Sequence, residues 1–162
     1  MTTIVRESAP ADHEAVVALS LRAWSPVFAS VADVLGDELS TLLHGDDWRA
    51  HQAGAVLATL SAASNRVWVA EVDGALSGFG AAAVVDEQRL IGEIVMLAVD
   101  PAAQHQGVGT ALTEHATSWL REQGMRVALI GTGGDPGHLP ARRLYEKLDY
   151  RLMPSAQYFR AL

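Results

Sequence analysis

The residues best placed to do chemistry lie in one short stretch, Gln104-His105-Gln106-Gly107-Val108-Gly109-Thr110. It follows an almost unbroken apolar run, Ile94 to Val99, and the breaker Asp100-Pro101. Such a run suits a buried strand, and the apolar periodicity after Gly107 suits a helix. A helix starting there presents unpaired N–H groups and a partial positive charge, which together can hold a phosphate or pyrophosphate. Gly107 and Gly109 let a ligand approach the backbone with no Cβ in the way. Two other phosphate loops fail on residue type. A Walker loop needs Gly-Lys-Ser/Thr, but Thr110 follows Gly109 directly, and the dinucleotide fingerprint needs a third glycine where Leu112 stands. Taken alone, the two glycines equally suit a tight strand-to-helix turn.

Other reactive groups are sparse. The chain has no cysteine, which excludes a disulfide framework, a thiolate zinc site and a cysteine nucleophile. Its six histidines, His13, His44, His51, His105, His115 and His138, lack metal-ligand spacing, so no metal is expected and solvated imidazoles are the plain reading. His44 and His51 are seven apart, a spacing that fits one helical face near Asp46-Asp47. Twelve Lys and Arg against nineteen Asp and Glu give a formal charge of −7, so the basic footprint of a nucleic-acid binder is missing. No run of ~18 apolar residues suggests a membrane span, and the N-terminus lacks a signal-peptide core. A soluble cytoplasmic protein is the expectation.

These groups need a scaffold. At 162 residues, 49% hydrophobic and 19% charged, the chain reads as one globular domain over 1–162. The pattern predicts a strand at Thr3–Glu7 and a helix from about Asp12 to Trp24, broken by Pro26. Helical pieces follow to Ser64, so residues 9–64 form an N-terminal helical region. From Arg66 the texture changes. Strands are expected at Arg66–Val72, Ala75–Val85 and Leu90–Val99, the first two joined by an Asp73-Gly74 hairpin turn. A helix over Gly107–Gln123, a strand at Arg126–Ile130 and a short helix at Pro140–Leu148 come next. Tyr150–Met153 and Gln157–Leu162 read as two closing strands. This order indicates an α/β or α+β fold on a single sheet, with the strand from Arg126 parallel to the one ending at Val99.

Two segments then match a family in order and spacing. Gln104-x-x-Gly107-x-Gly109 resembles the acyl-CoA signature of the GNAT superfamily of N-acyltransferases. Ala141-Arg142-Arg143-Leu144-Tyr145-Glu146-Lys147-Leu148-Asp149-Tyr150 is similar to its later A-x-x-L-Y-E-K-x-G-F motif. The resemblance covers residues 66–162 clearly. It implies a mixed, mostly antiparallel sheet flanked by helices, with a parallel strand pair splayed around acetyl-CoA as cosubstrate. The pantetheine arm would pair with the backbone of Leu97, Ala98 and Val99. The pyrophosphate would rest on His105, Gln106, Gly107, Val108, Gly109 and Thr110, braced by Gln104. Tyr145 would protonate the departing thiolate, and Glu93 would serve as base, directly or through water. Read from the residues alone, Tyr145 also suits a core stripe with Leu144 and Leu148, and Glu93 a surface strand end. Two departures stand out: Asp149 replaces the family's usual glycine, and His138 replaces an asparagine found in many members.

The implied reaction is direct acetyl transfer to a primary amine of a small molecule. The alternatives are a non-catalytic acyl-CoA sensor and a protein-directed acetyltransferase. In this superfamily the N-terminal helices and the last strands shape the acceptor side, which places Trp24, Phe28, Trp48, Tyr158 and Phe159 near that pocket or in plain core packing. Five acids, Asp33, Asp37, Glu38, Asp46 and Asp47, stand against Arg49 alone and suit attraction of a cationic amine or a solvated helix face. Homodimerisation is left open.

Overall fold

The computed structural model describes residues 2–162. Five strands form one sheet in sequential order: β1 (Thr3–Glu7), β2 (Arg66–Val72), β3 (Ala75–Asp86), β4 (Ile91–Val99) and β5 (Val127–Ile130). The first three ladders are antiparallel, and β4–β5 is parallel. Asp73 and Gly74 both take positive φ, 50° and 83°, the conformation a tight two-residue hairpin needs. Helices α1 (His13–Leu35), α2 (Asp37–His44) and α3 (Trp48–Ser61) precede β2; α4 (Val108–Glu122) crosses from β4 to β5; α5 (Leu139–Lys147) follows.

Two cores sandwich the sheet. On one face Val16, Leu19 and Val56 of α1 and α3 pack with Val69, Phe79 and Ala98. On the other, Val108, Leu112, Ala116 and Leu120 of α4 pack with Trp68, Ala70, Ala82 and Ile94. Gly78 decides how closely α4 can sit. A Cβ there would lie 2.9 Å from the Ala98 carbonyl oxygen and 3.0 Å from Leu112 and Val108 side-chain atoms.

Three expectations are corrected. Pro26 does not end the first helix, because α1 runs unbroken to Leu35. Its ring lies on an exposed turn, while Leu19 and Phe28 on either side are buried. Packing therefore outweighs the one lost hydrogen bond. The whole helical segment Pro10–Leu35 is also long and apolar enough, by length and composition, to cross a membrane. A search for unbroken apolar runs overlooks it because polar residues are interspersed. Finally, residues 151–162 form no strand at all.

Candidate active site

The site is created by one extra residue in β4. Ala81 pairs with Met96 but Ala82 pairs with Ile94, so Val95 is a bulge. The bulge reverses the alternation of side chains. Before it Ile94 faces α4; after it Leu97 and Val99 face α4, while Met96 and Ala98 turn to α1 and α3. The parallel ladder stops at the same place, its last pair being Ile94 with Ile130. Beyond it β4 keeps β3 as neighbour, from Met96–Ala81 to Val99–Gly78, but has no strand on its other side. The backbone groups of Leu97, Ala98 and Val99 on that side are therefore open to an extended ligand.

The turn after β4 is braced from outside it. Arg22 of α1 pairs with Asp100, both its Nε and an Nη donating to one carboxylate oxygen. Asp100 also accepts from the Ala102 N–H at 3.0 Å, and its own N–H reaches the Ser77 carbonyl at 2.8 Å. Burial opposes the Asp100 charge, but Arg22 and Ala102 outweigh it and hold the carboxyl below the usual range. Past this anchor, His105 and Gly107 take positive φ, 63° and 83°. The backbone N–H groups of His105 through Thr110 donate to no other backbone group, and the next one, Ala111, bonds to the Gly107 carbonyl. Nothing lies within 4 Å of a Cβ built on Gly107. Six free donors therefore lie in a row beside an open glycine, the kind of backbone that can hold an anion. Gln106 instead bonds back to the Ala102 carbonyl at 3.1 Å. Gln104 is exposed.

Helix α5 meets this turn directly: a Cβ on Gly109 would lie 3.0 Å from Leu144. The next residue, Tyr145, is 9% exposed. Burial, with Tyr150 nearby, pushes its phenol up to about 12. The Tyr150 hydroxyl is engaged with Thr117 at 2.6 Å, whereas among the described residues the Tyr145 hydroxyl has no hydrogen-bond partner. Tyr145 is thus a protonated donor without an internal acceptor. Glu93 is half-buried on β4, opposite Leu129 and Ala83, just below the bulge. Asp149 does adopt the left-handed backbone, at φ 63°, that a glycine would take without strain.

His138 is not the free imidazole expected from the sequence. Its Nδ1 is bonded to Asp135, whose other oxygen accepts from the Ser30 hydroxyl of α1 at 2.7 Å. Burial works against the Asp135 charge, but the Ser30 and His138 bonds prevail and keep the carboxyl below its usual range. Arg142 caps the Gly133 and Asp135 carbonyls at 2.5 and 2.9 Å. This network docks the β5–α5 loop on α1, and nothing in the local sequence announced Ser30 or Arg142 as its members, or Arg22 as the partner of Asp100. Asp135 two residues before Gly137 was the one available signal, a short polar turn.

The aromatic residues of the acceptor side separate. Trp24 packs half-buried on the sheet core. Phe28 stacks on Trp48 at 4.4 Å and meets His44 edge-on at 5.0 Å. His44 and His51 do come together, at 5.4 Å, but from two helices rather than one face. The His44 Nδ1 is buried without a partner, so that nitrogen is shielded from solvent. The five acids of the neighbouring stretch are exposed. Tyr158 and Phe159 stand apart, on the exposed tail.

A bulged strand, a splayed parallel pair and a donor-lined turn define an acyl-CoA-type transferase fold. Comparison with known proteins agrees. Residues 30–150 match the acetyltransferase (GNAT) family, and the chain belongs to it. It is 35% identical over 145 residues to a mycothiol acetyltransferase of Sanguibacter keddieii, covering 83% of this chain and 44% of that protein. The chain spans less than half the length of the mycothiol acetyltransferases it matches. Among solved structures, PaiA N-acetyltransferase of Thermoplasma acidophilum in complex with coenzyme A superposes with a TM-score of 0.64 at 15% identity, covering 91% of this chain and 89% of that one. An aminoglycoside acetyltransferase from an uncultured soil metagenomic sample, in complex with sisomicin, gives 0.63 at 16%, covering 99% and 96%. At these identities the structures establish the fold alone.

Proposed function

We propose that the chain transfers the acetyl group of acetyl-CoA to a primary amine of a small cationic molecule by direct attack. One observation carries the reading: six free backbone donors lie at the end of a strand whose open edge begins at its own bulge. The N–H groups of His105 to Thr110 hold the pyrophosphate. The open edge at Leu97, Ala98 and Val99 pairs with the amide-rich pantetheine arm, and an N–H there polarises the thioester carbonyl. Tyr145 gives its proton to the departing sulfur, for which its elevated pKa guarantees the protonated form. Glu93 takes the ammonium proton before attack. His138 borders the CoA cleft through its bond to Asp135, and the exposed acids of α2 and the α2–α3 turn draw in the amine. The name of the mycothiol acetyltransferases, which refers to a small molecule, supports a small-molecule substrate class.

Calorimetry and an acceptor panel read as free CoA thiol test the proposal. Acetyl-CoA should bind in the micromolar range, with desulfo-CoA competing and NAD or ATP inert. Cationic amines should outperform anionic amino acids, and salt should raise the amine KM because exposed charges are screened beyond ~8–10 Å. A folded sample that binds no acetyl-CoA removes the reading.

A further inference from the structure

An ammonium acceptor must lose two protons on its way to an amide. In the proposed reaction Glu93 takes the first, before attack. The second stays on nitrogen in the tetrahedral adduct and has to leave as the carbon–sulfur bond breaks. A group able to take it stands in the turn before α5. The Asp135 carboxylate can only accept hydrogen bonds, so His138 Nδ1 is the donor in the bond between them. That bond fixes the neutral tautomer and leaves the lone pair on Nε2. Among the described residues Nε2 has no partner, and the side chain is 22% exposed.

The ring is held on several sides. Ser30 of α1 donates to the other Asp135 oxygen and accepts from the Gly137 N–H at 2.9 Å. Gly133 leaves the ring its space, since a Cβ there would lie 2.4 Å from His138 Nδ1 and 2.8 Å from Cε1. Of the charged groups around it, Asp135 faces the ring from its own turn, and Arg142 of α5 donates to the Gly133 and Asp135 carbonyls. From α1 the contact is the neutral Ser30. The position suits the reaction as well as the tautomer does. The 131–138 loop leaves β5 at Ile130, where the β4–β5 ladder ends, and α5 returns to Gly109 through Leu144. Loop and helix thus run around the gap beside the open edge of β4, and Ser30 joins them to the acceptor-side helices. His138, at the N-terminus of α5, precedes Tyr145 by seven residues. Two helical turns put both on one side of α5, about 10 Å apart along its axis, and helical side chains lean toward the N-terminus, here toward His138.

We propose that His138 is the second base of the acetyl transfer, with Asp135 and Ser30 as its positioning residues; the inference rests on the acetyl-transfer reading of the same cleft. The amine, freed of one proton by Glu93, attacks the thioester carbon and forms the carbon–nitrogen bond, and the carbonyl pair moves to oxygen. When the adduct collapses, the carbon–sulfur pair leaves with sulfur, which takes the Tyr145 proton. The nitrogen gives its second proton to His138 Nε2, and Asp135 stabilises the imidazolium that forms. Glu93 and His138 then return two protons to solvent while Tyr145 recovers one. The balance is the single proton released when an ammonium and a thioester become an amide and a thiol. The asparagine that many family members carry at this position cannot take up a proton, so the departure at His138 has a chemical meaning.

Imidazole nitrogen-15 resonances test the tautomer without any turnover. At alkaline pH the His138 ring, identified among six histidines by its loss in His138→Asn, should show Nδ1 protonated and Nε2 bare. Asp135→Asn should remove that preference. The cationic amine that turns over fastest in the acceptor panel then tests the chemistry. His138→Ala should lower kcat by ~10²-fold, change acetyl-CoA affinity far less, and erase the limb of the kcat profile that lies nearest neutral pH. Added imidazole should restore turnover of His138→Ala as its unprotonated fraction rises, which a role in holding the loop would not allow. Asp135→Asn and Ser30→Ala should lower kcat in that order, with little change in the amine KM. Should Asp135→Asn fail to fold, His138→Ala, which keeps the bond from Ser30 to Asp135, carries the test. An Nε2–H tautomer in the unmodified protein, or a loss of turnover that imidazole leaves untouched, would overturn the proposal. An unmodified chain that acetylates no amine sinks this proposal and the acetyl-transfer reading together. Turnover that stays within twofold in His138→Ala, with chemistry rate-limiting, removes the second base alone.

Discussion

The two ends of β4 differ in one respect. From Ile91 to Ile94 the strand has a neighbour on each side, and Ile94 is buried in the α4 core. From Met96 to Val99 it has a neighbour on one side only. Apart from Glu93, the residues of both halves are uncharged and mostly apolar. The first half is closed structure, while the second offers backbone to a ligand because a ladder is missing there. The bulge at Val95 marks the residue at which the sheet is interrupted.

Ile94→Ala, in the closed half, should show the largest effect on stability. Truncating a fully buried isoleucine costs about 2–5 kcal/mol, so chemical denaturation should show a large fall in midpoint. Acetyl-CoA affinity, measured on the remaining folded protein, should change far less. If affinity fell as much as stability, the two halves would not be separable.

Tyr145→Phe probes the open half. It keeps the ring and removes the proton donor, so turnover should drop by ~10²-fold with CoA affinity nearly unchanged. Turnover within twofold, with chemistry rate-limiting, would reassign Tyr145 to packing. The same residue has a pH signature. Folding raises its pKa from 10.0 to about 12, so its contribution to stability is complete below pH 10 and is lost as pH rises through 12. In the folded protein one of the three tyrosines should therefore ionise late in an ultraviolet titration, and Tyr145→Phe should abolish that phase.

Gly107→Asp adds a side chain and a negative charge within the run of six free donors. Acetyl-CoA affinity should fall more than tenfold, ~1.4 kcal/mol, while the thermal midpoint responds mainly to the left-handed backbone at that position. An affinity unchanged by this substitution would mean that the turn does not hold the pyrophosphate.

The smallest effect should come from Asp149→Gly. With φ at 63°, glycine relieves the strain of a left-handed aspartate but adds freedom to the unfolded chain, so a change within about 1 kcal/mol is expected. A stabilised variant with unaltered kinetics would show that this departure from the family motif concerns the end of α5 alone.

Much of the sheet could be read directly. The strands at Arg66–Val72 and Thr3–Glu7 match to the residue, because alternation and the Asp73-Gly74 turn are local signals. The glycine turn was legible for the same reason. The N-terminal half was harder, since α1 continues through Pro26 on the strength of what Leu19 and Phe28 touch. His138 read as a solvated imidazole because its partner Asp135 sits in a polar turn that is itself held by Ser30, on a helix more than a hundred residues away.

Residue order alone therefore determined the five strands of the sheet, the crossover and the family motifs, while it also suggested two closing strands that do not form. These depend on periodicity, on turn chemistry and on spacing within a few residues, all of which are written along the chain. Only the tertiary structure decided where β4 parts from β5, because a bulge is a mismatch between two strands and exists in neither one by itself. It also decided that Arg22 anchors Asp100, that Tyr145 is buried enough to raise its pKa, and that the tail beyond Tyr150 is left without a partner. Each of these depends on which distant residues arrive at the same place, a matter settled by packing rather than by local order.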